Sequence, residues 1–217
     1  QIIHDVCLMN LPVVFSFVRA GIVGNDGETH QGVFDISFLR FIPNMILFAP
    51  RDNKTLELGL EFAYTLNSPC AIRYPRGAFK ELEFTSSKFD LGKAELLKMG
   101  ASNKLFIGYG AGVNRAIDTE ALHDEEIAIL DLRFVKPIDK DCLIELSNKY
   151  NDWYIFSDSQ KQGGVSSAIL EVLNEIDIQN IKITSFEYED FFIDHGDTKQ
   201  VEQSLGLLAE QLVLRIK

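Results

Sequence analysis

Long hydrophobic runs and an excess of positive charge are both missing from this sequence of 217 residues. No apolar stretch approaches the ~20 residues that a helix needs to cross a bilayer. The net charge is -11, which argues against nucleic acid or an anionic membrane as the main partner. An anionic ligand would therefore need a local cluster of positive groups.

Cysteine is also scarce. Cys7, Cys70 and Cys142 are far apart and set among apolar residues. An odd number of cysteines at irregular spacing is typical of buried thiols in a reducing cytoplasm, and not of disulfides or a metal site. The overall composition, 46% hydrophobic and 24% charged, is that of a globular protein, so one or two folded domains are expected. The cysteine pattern favours a cytoplasmic location for them.

Short apolar runs alternate with helical patterns along the chain, which predicts an α/β fold. A helix that begins near Asp52 should join two of the strands as a right-handed, parallel βαβ unit, and Asp139 should cap a later helix. The last helix is expected to carry Val201, Leu205, Leu208 and Leu212 on one face. The predicted strands cover residues 12–18, 45–49, 69–74, 93–98, 105–109, 127–132, 153–157 and 181–186.

The pattern changes around residues 78–90, where periodicity is lost and charged and serine residues accumulate. A linker is predicted there. We therefore expect two three-layer α/β/α pieces, at residues 1–80 and 92–217, joined by a linker at 81–91.

A glycine-rich loop, RAGIVGNDGETHQG at residues 19–32, follows directly on the first strand. It should lie at the carboxyl edge of the sheet, where open α/β sheets bind ligands. Arg19 offers a planar fork for a phosphate or carboxylate, and Asp26 and His30 form a pair suited to proton transfer. From these residues alone, a catalytic site and a long surface turn are both open.

A second pair of arginines occurs in IRYPRG, at the end of a later strand. Because parallel strands share one direction, this segment and the glycine-rich loop should open on the same edge of the sheet. We expect Arg73, which lies inside the strand, to pair with a buried acid. Arg76, between Pro75 and Gly77, is the better candidate for binding a ligand.

Four motifs span nearly the whole chain: VRAGIVGNDGETHQGVFD at 18–35, RYPRG at 73–77, LRFVKPID at 132–139 and DFFIDHG at 190–196. Together they resemble the 1-deoxy-D-xylulose-5-phosphate synthases, thiamine-diphosphate enzymes of the transketolase superfamily. The resemblance implies that residues 1–80 are the C-terminal half of a pyrimidine-binding domain. Residues 92–217 would then be a transketolase C-terminal domain, and the chain a C-terminal fragment.

The resemblance also implies a function. Enzymes of this family are homodimeric transferases that condense pyruvate with glyceraldehyde 3-phosphate, with loss of carbon dioxide, toward isoprenoids, thiamine and pyridoxal. Arg19 and Arg76 would bind the phosphate of the aldehyde, and Asp26 and His30 would be the catalytic pair. Thiamine diphosphate and Mg²⁺ are implied for the whole enzyme, whereas this chain alone is expected to bind neither and to be inactive.

The sequence departs from the family at two places. Val18 stands where the family has an aspartate, so that position is not expected to be catalytic. Asp158 and Ser159 stand where the family has two glutamates, in a segment expected to pack within the C-terminal domain.

Alternatives from other classes remain. A transketolase or a 2-oxo-acid dehydrogenase β subunit would share the fold, and a non-catalytic assembly module would need no site. A dinucleotide-binding domain is suggested by Gly108, Gly110 and Gly112, with Asp131 at the position of a ribose-binding acid, although the third glycine of that fingerprint is missing. A tight strand-to-helix turn is the preferred interpretation.

Two weaker signals are interpreted as turns. Gly163 and Gly164 precede a helix whose N-terminus could bind an anion. The run HDEE at residues 123–126 could suggest a metal site, but consecutive residues before a strand point to alternate faces. His195 is expected to be a loop residue.

Overall fold

The computed structural model describes residues 1–86 and 88–217, and the backbone alone of Asn25. A wide helical turn, Ile2–Cys7, opens the chain, with the amide of Leu8 bonded to the carbonyl of Ile3 at 2.9 Å. The strands are β1 (Val14–Val18), β2 (Ile46–Phe48), β3 (Cys70–Tyr74), β4 (Glu95–Lys98), β5 (Lys104–Gly108), β6 (Ala128–Asp131), β7 (Phe134–Lys136), β8 (Asp152–Gln160) and β9 (Lys182–Tyr188). The helices are α1 (Asp35–Leu39), α2 (Asn53–Thr65), α3 (Gly112–Glu120), α4 (Lys140–Ser147), α5 (Val165–Glu175), α6 (Thr198–Ser204) and α7 (Ala209–Leu212).

The strands form two sheets, with orders β1-β3-β2-β7 and β4-β6-β5-β8-β9. Every predicted strand is present, with its bounds shifted by a few residues. The βαβ unit is confirmed, because β2 and β3 flank α2 and pair in parallel. The carboxylate of Asp139 accepts the amide of Cys142 at 3.2 Å, so the predicted cap is confirmed, and the carboxylate of Asp52 caps α2 by accepting the amide of Thr55 at 2.7 Å.

Strand β7 was not predicted. It pairs antiparallel with β2, with Leu47 opposite Lys136 and Phe48 opposite Phe134. A run of three residues is too short to carry a recognisable strand pattern. The later part of the chain therefore completes the edge of the first sheet.

The predicted last helix is wrong in one respect: it is two helices. Helix α6 ends at Ser204, the chain turns at Gly206, and α7 begins at Ala209. A single helix would have buried Leu208 together with Leu212. The turn buries Leu207 and Leu212 instead, and Leu208 stays partly exposed.

One apolar layer is shared by the two sheets. It joins Leu47 and Ala71 of the first sheet to Ile107, Leu130 and Ile155 of the second, and it includes buried residues of α1, α4 and α5. The second sheet packs its other face against α3, α6 and α7, and the first sheet packs its other face against α2. The α/β class and its layers of helices on both sides of each sheet are therefore confirmed.

A cluster of phenylalanines closes the outer face of the first sheet. Phe134 of β7 lies 5.3 Å from Phe48, 5.6 Å from Phe62 and 5.9 Å from Phe89, measured between ring centroids. Phe89 belongs to the predicted linker, of which Ser87 lies outside the described residues. The other linker residues form no helix or strand, and the domain boundary stays a prediction.

The three cysteines are free thiols, as predicted, with Cys7 and Cys70 buried. Burial raises the pKa of Cys70 and of Cys142 to about 11, so both thiols are uncharged at neutral pH. Among residues 1–86 and 88–217, no helix is long and apolar enough to span a membrane.

Replacing Phe134 with alanine should lower the free energy of unfolding by about 3–5 kcal/mol, because a fully buried ring is removed and a cavity remains. Urea unfolding followed by circular dichroism measures the change. The matched control is Phe41→Ala, whose ring is 66% exposed and whose loss should cost less than about 1 kcal/mol. Equal losses for the two variants would contradict the assigned role of β7.

Candidate functional site

The glycine-rich loop is closed at its base by backbone hydrogen bonds. The amide of Gly21 donates to the carbonyl of Gly32 at 2.8 Å, and the amide of Gly32 donates back at 2.9 Å. The amide of Ala20 bonds to the carbonyl of Tyr74 at the end of β3. Gly32 is required here, since a Cβ at this position would lie 2.1 Å from the carbonyl oxygen of Arg19. The two ends of the loop are thus held together beside the end of β3.

Arg19, Asp26 and Arg76 meet at this edge of the sheet. The Oδ2 atom of Asp26 accepts hydrogen bonds from Nη1 of Arg19 at 2.6 Å and pairs with Nη1 of Arg76 at 2.7 Å. The side chains of Arg19 and Arg76 are 45% and 51% exposed, and that of Asp26 is 24% exposed. The sequence argument that both loops open on one edge is therefore confirmed.

The two arginines change the acidity of Asp26. Its pKa lies below the ordinary aspartate value, first because of the hydrogen bond from Arg76 and then because of the charges of Arg76, Arg19 and His30. Asp26 is consequently a carboxylate at neutral pH.

His30 lies outside this ion-pair set. It ends a short helical turn, Glu28–His30, and its Nδ1 atom is 3.1 Å from the hydroxyl of Thr29. The imidazole is exposed. Asp26 is therefore bonded to the arginines and not to His30, and the proposed catalytic pairing of these two residues stays a prediction.

Arg73 pairs with buried acids, as its position inside a strand predicted. Its Nε atom donates to Asp35 at 2.8 Å and its Nη1 atom donates to Asp158. Its Nη2 atom also reaches the carbonyl of Gly32 at 3.2 Å. Burial opposes the charged form, but the carboxylates of Asp158 and Asp35 outweigh it and raise the pKa of Arg73. A permanent buried charge thus joins β3, α1, β8 and the base of the glycine-rich loop.

A cavity of about 470 Å³ lies beside the loop. Its lining includes Asp26 and Arg76, and also Arg115, Asp158 and Glu202 from the later part of the chain. The guanidinium of Arg115 is itself paired with Glu202 at 2.9 Å. The ligand candidates from the first part of the chain therefore face residues from the second.

Gln31 is a site residue that the sequence reasoning missed. Its side-chain oxygen accepts the amide of Val23 at 2.9 Å, and its side-chain nitrogen donates to the carbonyl of Asp194 at 3.2 Å. The amide of Gly196 also bonds to the carbonyl of Gly24 at 3.3 Å. The signal that could have identified it is that Gln31 and the DFFIDHG segment both lie in motifs that resemble the synthase family. That segment, including His195, is a loop as predicted.

The residues of the dinucleotide alternative have structural partners. The carboxylate of Asp131 is buried and accepts Nη1 of Arg51 at 2.7 Å and the amide of Arg133 at 3.1 Å. Gly112 packs so closely on β8 that a Cβ would lie 2.0 Å from the carbonyl oxygen of Phe156. Close packing of α3 on β8 accounts for Gly112, and Asp131 is paired with Arg51. Both residues therefore have structural roles that need no dinucleotide.

The glycine pair before α5 and the HDEE run also have structural partners within the protein. The N-terminus of α5, after Gly163 and Gly164, receives the carboxylate of Glu187, which accepts the amide of Val165 at 2.9 Å. In the turn at residues 123–126, Glu125 pairs with Lys104 at 2.8 Å. In the part of the chain that the structure describes, no group of three or more His, Cys, Asp or Glu side chains is arranged to hold a metal.

Comparisons with known proteins cover both parts of the chain. The model of the transketolase pyrimidine binding domain matches residues 1–81, and that of the transketolase C-terminal domain matches residues 92–212. The 1-deoxy-D-xylulose-5-phosphate synthase of Aliarcobacter butzleri is 78% identical over all 217 residues, and that of Sulfurimonas denitrificans is 58% identical over 218 aligned positions. The chain spans only 36% of the length of each of these relatives.

Solved structures show the same architecture. A split-gene transketolase, described as an inactive beta4 tetramer, superposes with a TM-score of 0.85 at 25% identity, covering 98% of this chain and 68% of that one. The transketolase of Campylobacter jejuni superposes with a TM-score of 0.69 at 20% identity, covering 95% of this chain and 31% of that one. The second likeness supports the fold alone.

Replacing Arg73 with methionine should lower the free energy of unfolding by about 3–5 kcal/mol, because two carboxylates would be left buried without their cation. The control is Arg76→Met at the half-exposed ion pair, where a change of about 1 kcal/mol or less is expected. Urea unfolding of both variants measures the difference. A small loss for Arg73→Met would mean that Asp35 and Asp158 do not depend on this arginine.

Proposed function

Because the chain belongs to the transketolase family, we propose that it is the C-terminal part of a 1-deoxy-D-xylulose-5-phosphate synthase. The whole enzyme would condense pyruvate with glyceraldehyde 3-phosphate, release carbon dioxide and form 1-deoxy-D-xylulose 5-phosphate. In this proposal residues 1–80 belong to the pyrimidine-binding domain, 81–91 are a linker, and 92–217 are the C-terminal domain. The names of the two relatives described above support the choice of this synthase over a transketolase or a 2-oxo-acid dehydrogenase β subunit.

The observation that carries the proposal is the meeting of Arg19 and Arg76 on one carboxylate oxygen. Two half-exposed guanidinium groups within reach of one anionic atom form a suitable site for the phosphate of the aldehyde. They do so in a chain whose net charge is -11, where a phosphate would otherwise be repelled. Arg19 and Arg76 are therefore assigned to phosphate binding.

Asp26 and His30 are assigned to catalysis at the reacting end of the substrates. The lowered pKa of Asp26 keeps it ionised, so its carboxylate can accept a hydrogen bond from a substrate hydroxyl. The exposed imidazole of His30, four positions further along the loop, is the usual proton-transfer group of such sites. Gln31 holds the loop on the Asp194 segment and so positions both side chains.

Thiamine diphosphate and Mg²⁺ are part of the proposal for the whole enzyme. The residues described for this chain do not fit the metal, because they offer no group of three ligating side chains and Asp26 is already held by two arginines. The proposal assigns the cofactor to other parts of the enzyme, and this chain alone is expected to be inactive.

The proposal also includes a cytoplasmic homodimer. Three free thiols, two of them buried, are suited to a reducing compartment. The split-gene transketolase of the same fold is described as a tetramer of its beta chain, which favours self-association for this architecture. Light scattering of the whole enzyme would measure the assembly.

In the full-length protein, Arg76→Ala should raise the KM for glyceraldehyde 3-phosphate about 10- to 100-fold, since a charge-assisted hydrogen bond worth about 1.5–3 kcal/mol is lost. The KM for pyruvate should change little. Steady-state kinetics with each substrate varied in turn measures both values. The control is Arg215→Ala, an exposed arginine near the C-terminus, which should behave as wild type.

His30→Ala in the same protein should lower kcat by about 10²–10⁴-fold, the usual contribution of a general acid or base. The KM for the aldehyde should be less affected, because the phosphate contacts remain. The split between a KM effect at Arg76 and a kcat effect at His30 is the decisive readout. A normal kcat in His30→Ala, together with a normal KM for the aldehyde in Arg76→Ala, would refute the assigned roles.

A further inference from the structure

The position suited to a phosphate, between Arg19 and Arg76, contains the carboxylate of Asp26. A single oxygen of Asp26 contacts Nη1 of both arginines, at 2.6 Å and 2.7 Å. These are the same guanidinium groups that would have to bind an anionic substrate. One of the two positive charges is therefore offset by a side chain of the glycine-rich loop.

A phosphate cannot join this arrangement without changing it. Its oxygens would compete with the Asp26 carboxylate for the same donors, and the two anions would repel each other at contact distance. A phosphate carries nearly twice the charge of a carboxylate and has three strong acceptor oxygens, so it can contact both forks at once. Binding at the two arginines thus requires Asp26 to leave.

The loop is built so that Asp26 can move while the base of the loop stays fixed. Gly24 begins the short turn that carries Asp26 and Gly27 follows it. Among the described residues, apart from its two chain neighbours, no atom lies within 4 Å of the position of a Cβ on Gly27. The cavity of about 470 Å³ beside the turn offers space. The paired amides of Gly21 and Gly32 hold the base.

We propose that Asp26 is an internal counter-ion for Arg19 and Arg76, which the phosphate of the substrate displaces, so that phosphate binding frees the Asp26 carboxylate for the reacting end of the same molecule. This inference rests on the proposed function, because it takes the two arginines to be the phosphate site. It adds a coupling: the carboxylate becomes available when a phosphorylated substrate has bound.

The coupling has a measurable cost. Each exposed ion pair that breaks weakens phosphate binding modestly, so removal of the Asp26 charge should tighten binding of inorganic phosphate about three- to tenfold. Asp26→Asn keeps the shape of the side chain and removes its charge. Asp124→Asn makes the same change in net charge at an exposed position in the turn before β6 and serves as the control.

The experiment is calorimetric titration of inorganic phosphate into the full-length protein at low ionic strength. Five proteins are compared: wild type, Asp26→Asn, Asp124→Asn, Arg76→Ala and the double variant Asp26→Asn with Arg76→Ala. We expect tighter binding in Asp26→Asn alone, and loss of that gain in the double variant. A crystal of the wild-type chain soaked in phosphate should show phosphate on both guanidinium groups and Asp26 turned away from them.

The outcomes separate the inference from the function on which it rests. If Arg76→Ala weakens phosphate binding but Asp26→Asn binds no tighter than Asp124→Asn, the arginine site stands and the counter-ion role is wrong. If Arg76→Ala binds phosphate as wild type does, the phosphate site itself is wrong. Phosphate bound to both arginines with Asp26 still between them, or no phosphate binding in Asp26→Asn, would also overturn the inference.

Discussion

The buried guanidinium of Arg73 is the interaction on which the rest of the structure depends. A charge this deeply buried is tolerated only when it is paired and hydrogen-bonded. Its partners are Asp35 on α1, Asp158 on β8 and the carbonyl of Gly32 at the base of the glycine-rich loop. Moving α1 or β8 away from β3 would leave a buried carboxylate without its cation, and moving the loop would break the hydrogen bond to Gly32. The first sheet, the second sheet and the loop are therefore held relative to one another. The positions of Arg19 and Asp26 on the loop therefore depend on the ion pairs and hydrogen bond of Arg73.

A second charged cluster also joins the two parts of the chain. Arg51, from the first part of the chain, contacts Asp131 and Glu95 from the second, and Arg133 contacts the same Glu95. The same two parts of the chain also share the apolar layer described above. Apolar burial supplies most of the stability in such an arrangement, whereas the paired charges determine which surfaces can meet.

The sequence predicts those features whose cause is local. Buried parallel strands read as continuous apolar runs, and so β3 and β8 were recognisable. Arg73 could be assigned to a buried ion pair because it lies inside such a run. Its partner Asp158, 85 positions away, could not be identified, since no local pattern specifies a distant partner. The convergence of Arg19 and Arg76 followed from strand direction, but the bridging position of Asp26 depends on the backbone conformation of the loop.

The placement of β7 has a consequence for synthesis on the ribosome. Strand β2 gains its outer neighbour only when Phe134 has emerged, roughly 60 residues after the end of β3, a delay of about 3–12 s at usual elongation rates. Until then the nascent chain carries an open strand edge with the ring of Phe48 beside it, a template for wrong pairing between chains. Protection of nascent chains by chaperones would therefore matter most in this interval, before β7 pairs with β2.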